Sequence, residues 1–369
     1  MFALAFCFLP PECPARDAPF TFLVNRSILL TLTLVLCAPA FADVDPKLDK
    51  AIREALPVCE GATIAYGEMG LKLPQRFSGT VVQIENPRHC AGQYVAVLSP
   101  TGGFYLGSPW PIENEEGKTL EEKLQNFTWR NLQTNVTASI EKKATEDGLW
   151  PVTLWQTTEH GKMPLYGAVD PNGRMFFFGN FKRLSGDLLA QRTKLFEPLL
   201  AKSPSKGSGQ VTIVEFSDFQ CPSCKRSSVW VDPIVTKHEG KVRYVRFDLP
   251  LSGHPWAFPA ALAGRAIYRQ KPDLFWEFKK TVYNNQDSLN AFTFWDWARG
   301  WAEDHEVDLK KYDADLHDAE LRAEILNGAG LALSSDVRAT PTYIVNGAIV
   351  DAGNNGEALA AYVDKLLAK

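Results

Sequence analysis

The chain has 369 residues and a formal net charge of −4 at pH 7. That mild acidity comes without a basic cluster to hold a phosphate backbone, which sets nucleic acid aside as a partner. The length suggests two domains behind a leader.

Residues 1–42 read as that leader. Asn25-Arg26 precedes an apolar run over 28–37, and Ala38-Pro39-Ala40-Phe41-Ala42 follows. A positive start, a short apolar stretch and Ala-x-Ala predict a secretory signal cleaved after Ala42. The run is too short to span a bilayer comfortably. Leu36 is too large for the small residue that usually precedes a lipidated cysteine, so Cys37 does not read as a lipid anchor. Residues 1–23 read as an over-extended start. The expected location is periplasmic or otherwise exported.

Residues 43–200 read as a separate α+β domain. A short helix is expected over 46–56, and strands over 77–84, 94–98 and 104–107. The stretch 118–146 is charged and at least partly helical. Strands over 152–155, 165–169 and 175–178 follow, the last two joined by an Asp170-Pro171-Asn172-Gly173 turn. A helix over 184–200 leads into a linker at 201–210, rich in Ser, Gly and Lys. No catalytic constellation appears in this domain. Of seven cysteines, Cys7, Cys13 and Cys37 lie in the leader. Cys59, Cys90, Cys221 and Cys224 remain, and an even number in an exported protein suits full pairing. If Cys221 pairs with Cys224, a structural Cys59–Cys90 bridge is left, worth roughly 3–4 kcal/mol in the chain-entropy model. Two buried free thiols are the alternative.

Residues 211–369 carry the chemistry. An apolar strand over 211–216 runs into Cys221-Pro222-Ser223-Cys224, which opens a helix over 225–239. Cys221 falls at the N-cap, and Pro222 takes the first helical position, where its missing N–H costs nothing. Free N–H groups and the helix dipole favour an anion there. A thiol in such a setting titrates at roughly 3.5–7.5 instead of about 8.5. Cys221 therefore reads as an exposed nucleophile and Cys224, one turn in, as a buried resolving thiol, together a reversible two-electron pair. A lone C-x-x-C can also be half of a zinc site, but no second ligand pair stands nearby, and His238 and His254 are isolated. No metal is expected, and no cofactor beyond the redox-active Cys221–Cys224 disulfide. A purely structural disulfide at this spacing would close little chain and stabilise weakly. Glu215 sits inside the apolar run, where a carboxylate is unexpected. It reads either as a buried acid placed to accept the Cys224 proton or as a solvated residue on an edge face.

A strand over 242–247 follows, joined to the first by a right-handed crossover. Residues 255–333 form a long helical block. Its aromatics at helical spacing, Trp295, Trp297 and Trp301 included, read as core. His254 reads as an ordinary loop histidine. Thr340-Pro341 heads a strand over 342–345, Asn346-Gly347 marks a tight hairpin turn, and 348–350 returns. An amphipathic helix over 357–367 closes the chain.

Two of these segments, Glu-Phe-Ser-Asp-Phe-Gln-Cys-Pro-Ser-Cys (215–224) and Ala-Thr-Pro-Thr-Tyr-Ile-Val-Asn-Gly (339–347), closely resemble the DsbA-like branch of the thioredoxin fold. The resemblance covers roughly 210–369. It implies an α/β thioredoxin fold with a helical insertion, preceded by the separate α+β N-terminal domain. It implies that Pro341 is cis and faces the cysteine pair, with Thr340 lining the site. It also implies that Cys221 attacks, Cys224 resolves and Glu215 takes the place of the family's buried acid. A bound polypeptide would pair with the Thr340 backbone, with Pro341, Pro222 and Ser223 around it, and the Pro222-Ser223 dipeptide would tune the potential. The partners implied are protein substrates with cysteines and a membrane redox partner that resets the pair. The order of parts also resembles disulfide isomerases of the DsbC/DsbG type, in which an N-terminal domain dimerises. That resemblance implies a homodimer and leaves isomerase or reductase action as alternatives to oxidation. A reading from another class is a non-catalytic, chaperone-like binding module.

Overall fold

The computed structural model describes residues 45–58, 61–74, 76–85 and 92–368. The expected cleavage after Ala42 and the expected Cys59–Cys90 bridge lie outside the described residues.

The N-terminal half opens with α1 (Pro46–Ala55), capped by the Asp45 side chain, which accepts from the Lys47 N–H. Strands β1 (Thr63–Glu68), β2 (Ser78–Glu85), β3 (Gly92–Leu98) and β4 (Gly103–Leu106) make an antiparallel meander. β5 (Trp110–Pro111), α2 (Leu120–Leu132), β6 (Val136–Ile140), β7 (Trp150–Thr158), β8 (Gly161–Val169) and β9 (Met175–Phe178) follow. β10 (Lys182–Arg183) returns to pair with β4, and α3 (Leu188–Leu200) leads out. Two five-stranded sheets result, ordered β1-β2-β3-β4-β10 and β5-β9-β8-β7-β6. The charged stretch over 118–146 divides sharply. Its helix has a full capping box between Thr119 and Glu122 and ends with Gln133 in the left-handed region at φ 51°. Val136–Ile140 is then a strand paired with β7.

The C-terminal half holds β11 (Ser205–Gly207), β12 (Val211–Ser217), α4 (Pro222–Ser227), α5 (Val231–Lys237) and β13 (Val242–Asp248). Five helices come next: α6 (Ala257–Gln270), α7 (Leu274–Asn284), α8 (Phe294–Asp304), α9 (Leu309–Leu316) and α10 (Ala319–Leu333). β14 (Thr342–Val345), β15 (Ala348–Val350) and α11 (Glu357–Leu367) complete it. The sheet runs β11-β13-β12-β14-β15, with β12 parallel to β13 and antiparallel to β14. This is a thioredoxin-like α/β fold with a helical insertion between β13 and β14. β12 is central and buried along most of its length, which is why it reads as a near-continuous apolar run. Asn346 and Gly347 both have positive φ, 45° and 86°, as a tight hairpin with the strands' own twist requires.

Three expectations are corrected. The segment 201–210 is not a free linker: Ser205–Gly207 is an edge strand paired with β13. The edge of β13 offers its unpaired backbone groups, and the Arg246 N–H donates to the Pro204 carbonyl at 2.8 Å. Arg265 also donates to the Lys202 carbonyl and to Ser203 Oγ. Second, the helix expected over 225–239 is two helices, broken at Ser228–Trp230. Pro233 explains it, because in one continuous helix it could not donate to Val229 and its ring would meet that carbonyl. Third, Trp295 is an exposed residue at 37%, whereas Trp301 is buried at 8%. Trp297 packs against the insertion's core beside Phe278.

The halves meet closely. Phe196 of α3 packs at 5.1 Å on Phe216 of β12. On α10, a Cβ at Gly330 would lie 1.9 Å from the Pro164 carbonyl of β8, so only glycine permits that approach. Arg192 of α3, itself buried, donates to the carbonyls of Glu54, Ala55 and Gly347.

Candidate functional site

The exit of β12 delivers Cys221 to the N-cap of α4, with φ −73° and ψ 121° and Pro222 behind it. The loop carrying it is held from several sides. The Arg246 guanidinium lies 3.9 Å from the Phe219 ring centre. Gln286 Nε2 donates to the carbonyls of Phe219 and Cys221 at 2.9 and 3.1 Å. The Gln220 side chain accepts from the Trp256 N–H at 2.8 Å. The insertion thus fixes the geometry of the cysteine loop, which no local motif predicted.

Both cysteines are free thiols. Cys221 was expected to be exposed, yet it is buried at 7%, packed in the cluster that holds Phe219 and Trp256. Its thiol donates to the Thr340 carbonyl at 3.4 Å. The Thr340–Pro341 peptide bond is cis, so both segments quoted for the resemblance meet at this sulfur. Thr340 Oγ1 is buried without a hydrogen-bond partner among the described residues, and the Thr340 side chain helps lower the Cys221 pKa. That pKa falls to about 5, mainly through the Cys224 thiol. Burial opposes the fall, while Thr340 and the backbone N–H groups of Cys224 and Ser223 add to it. The helix start therefore contributes as expected, but the partner thiol contributes most. Cys224 is fully buried. Burial pushes its thiol well above the ordinary range, reinforced by Cys221 and by the charge of Glu215. The pair thus has one sulfur that ionises readily and one that keeps its proton.

Glu215 is buried at 1%, which removes the solvated-edge reading. One carboxylate oxygen accepts from the Tyr244 hydroxyl and lies 3.8 Å from Lys279 Nζ. The other has no hydrogen-bond partner among the described residues. Lys279 lies on α7 and also donates to Tyr244 Oη at 3.0 Å. The sequence did not reveal this cation, because its place in the insertion says nothing about which strand it faces. Burial pushes the Lys279 pKa down, with Glu215 opposing.

His254 is not an ordinary loop histidine. Its Nδ1 lies 2.8 Å from Asp218 Oδ2, and Asp218 is 2% exposed. The same carboxylate accepts from the N–H groups of Gln220 and Leu251. The hydrogen bond to Asp218 raises the His254 pKa; burial opposes it, and the charges of Asp218 and Cys221 add to it. An acid three residues before Cys221, at the exit of a buried strand, was the available signal. Pro222 is exposed and Ser223 half-buried, with Ser223 Oγ accepting from Arg226 at 2.7 Å.

Residues 206–365 match a family model described as Thioredoxin. Over 182 residues, 48% of this chain, the sequence is 29% identical to the probable disulfide bond formation protein D of Bacillus cereus, covering 83% of that protein. The corresponding protein of Bacillus anthracis is 28% identical over 190 residues and is covered to 82%. A Na(+)/H(+) antiporter NhaA 3 of Salinispora tropica is 36% identical over 154 residues, but only 22% of it is covered. Among solved structures, oxidised BdbD from Bacillus subtilis aligns with a TM-score of 0.42 and 22% identity, over 46% of this chain and 95% of that one. A thioredoxin-like oxidoreductase from Silicibacter pomeroyi gives 0.40 and 26%, over 48% and 98%.

Proposed function

We propose that this chain, whose C-terminal half is a DsbA-like thioredoxin-fold thiol–disulfide oxidoreductase, forms disulfides in exported protein substrates through the Cys221–Cys224 pair. In the oxidised protein a substrate thiolate attacks the Cys221 sulfur. The Cys221–Cys224 bond breaks, a mixed disulfide forms, and Cys224 leaves and takes up a proton. Glu215, buried beside Tyr244 and Lys279, is the acid we assign to that proton traffic. A second substrate thiolate then attacks the substrate sulfur of the mixed disulfide. The substrate's own disulfide forms and Cys221 leaves as a thiolate. Two electrons have passed to the pair, and a membrane redox partner removes them.

One observation carries this reading: Cys221 sits on the N-cap of α4 against the Thr340 carbonyl, with a thiol that titrates near 5. A thiol that ionises so readily is a good leaving group, which speeds release of the oxidised substrate and favours the reduced form of the pair. That favours oxidation over isomerisation, in which reduced Cys221 would attack a misplaced disulfide. The backbone of Thr340, with Pro341, Pro222 and Ser223 around it, would hold the substrate segment as a short strand.

The test is oxidation of a reduced, unfolded protein by the oxidised full chain. Cys221→Ala should abolish it, and reduced Cys224→Ala, offered a disulfide-bonded protein instead, should accumulate mixed disulfides, because its Cys221 thiolate displaces one sulfur and nothing then resolves the bond. Equal oxidation by parent and Cys221→Ala would overturn the proposal. Export is tested by sequencing the mature protein, expected to start at Asp43. Light scattering tests the homodimer, and mass spectrometry without reductant tests the Cys59–Cys90 bridge. No helix among the described residues is long and apolar enough to cross a membrane.

A further inference from the structure

A cavity of about 460 Å³ opens beside the cysteine pair, between the two halves of the chain. Its C-terminal wall includes Ser223 and Pro341, which flank Cys221 in space, together with Trp230 and Val350. Its other wall comes from the N-terminal half: Tyr94 on β3 and Pro57 just after α1. The volume lies within the range of about 300–1,000 Å³ usual for binding clefts.

The N-terminal wall is anchored to the loop that carries Thr340 and Pro341. The Asn180 backbone N–H donates to the Ser334 carbonyl at 3.1 Å, and its side chain donates to Ser335 Oγ at 2.9 Å. Lys182 of β10 pairs with Asp336 at 2.9 Å, both side chains largely shielded from solvent. The Arg338 guanidinium lies 5.6 Å from the Tyr94 ring centre, two residues before Thr340. Tyr94 is thus tied to the loop whose carbonyl touches the reactive sulfur.

We propose that the N-terminal half is a substrate-reading element. Tyr94 and Pro57 contact the residues that flank a substrate protein's cysteine while that cysteine is joined to Cys221. The occupant is an extended polypeptide segment, and three observations favour it. The groove is lined by Pro341, which follows the Thr340 whose carbonyl accepts from Cys221, and by Ser223 between the two cysteines, so it borders the place where a mixed disulfide must form. Its lining sets aromatic, proline and aliphatic groups such as Tyr94, Trp230 and Val350 among polar ones such as Ser223, Arg226 and Asn354, which suits a peptide's mixed backbone and side-chain surface. It is built from both halves, so a polypeptide joined to the sulfur meets the N-terminal half directly. The inference rests on the oxidoreductase reading above and adds to it a role for the N-terminal half.

The experiment uses the reduced full chain in single turnover against two disulfides, insulin as the protein probe and hydroxyethyl disulfide as the small one. In each case the Cys221 thiolate attacks one disulfide sulfur and the other leaves as a thiolate. Cys224 then displaces the bound sulfur. The chain ends oxidised and the probe reduced by two electrons. The readout is the ratio of the two second-order rate constants, insulin over hydroxyethyl disulfide. Tyr94→Ala should lower that ratio about five- to tenfold, the effect of truncating a well-packed aromatic contact. Tyr94→Phe, which keeps the ring, should hold it near the parent value. Asn354→Trp fills the groove from an exposed loop position and should lower the ratio even if Tyr94→Ala fails to fold. A ratio unmoved by Asn354→Trp and by folded Tyr94→Ala overturns the substrate-reading role alone. A parent chain that neither reduces these disulfides nor, when oxidised, oxidises a reduced protein overturns the oxidoreductase reading and this inference with it.

Discussion

The reduction potential of the Cys221–Cys224 pair should change its pH slope near pH 5. For a two-electron couple, each proton taken up on reduction moves the potential by about 30 mV per pH unit. Below the Cys221 pKa both sulfurs take a proton, so the slope is about 59 mV per pH unit. Above it Cys221 stays anionic and only Cys224 is protonated, because burial keeps that thiol well above the ordinary range. The slope should then halve to about 30 mV, with the break within about one pH unit of 5. A pair with two ordinary thiols would continue at about 59 mV to pH 8 or beyond. Between pH 5 and pH 7 the two lines diverge by about 60 mV, which makes this pair the more oxidising at neutrality. Stability of the reduced protein follows the same sign. The folded Cys221 pKa is depressed, so its contribution is fully present above the ordinary thiol value of about 8.5 and is lost as pH falls through about 5. The assay equilibrates the full chain with thiol–disulfide buffers across this pH range, quenches in acid, labels free thiols and weighs the products. Thr340→Val, which removes one of the groups lowering the pKa, should move the break upward. A single slope of about 59 mV through neutrality would refute the reasoning.

Three further outcomes follow from other contacts. Cys224→Ala removes the largest influence lowering the Cys221 pKa. The midpoint of thiolate ultraviolet absorbance should rise by roughly one to two pH units, the worth of one hydrogen bond to a charged group. Lys182→Met leaves the Asp336 carboxylate shielded and unpaired; denaturant unfolding should show a loss of about 3 kcal/mol or more, largely recovered in Lys182→Met/Asp336→Asn, which removes the charge and tolerates the φ of 71° at that position. Asp218→Asn replaces the carboxylate that raises the His254 pKa with a neutral amide, so the imidazole midpoint read by NMR should fall. Because the folded value is raised, the stability from this pair is fully present below the ordinary histidine pKa and is lost as pH rises through the folded one. A His254 midpoint indifferent to Asp218→Asn would mean that the carboxylate does not hold it.

The C-terminal half was legible because its signals are local. Pro222 at the first helical position, the apolar 211–216 run and Asn346-Gly347 each state a backbone geometry that the fold adopts. Where the sequence reading failed, a partner distant in sequence had decided the outcome. The 201–210 segment looks like a linker by composition, but the open edge of β13 claims it as a strand. Lys279 and His254 are ordinary in sequence, yet the fold sets one beside Glu215 and the other on Asp218. The break between α4 and α5 is the exception, since Pro233 is a local signal. In the N-terminal half, strand cores such as 175–178 stood out. Val136–Ile140 did not, because a charged helical stretch precedes it and its partner is β7. The cavity walled by Tyr94 and Pro341 could not be read at all, since its sides lie far apart in the chain.

The central claim is that Cys221 is an anion at neutral pH and carries out the exchange. The direct measurement is the rate at which the reduced parent is alkylated as a function of pH, with Cys221→Ala as control and the modified residue identified by mass. The account predicts modification at Cys221 with a midpoint near 5 and loss of the fast phase in the control. A midpoint near the ordinary thiol value of about 8.5, or preferential modification of Cys224, would contradict it.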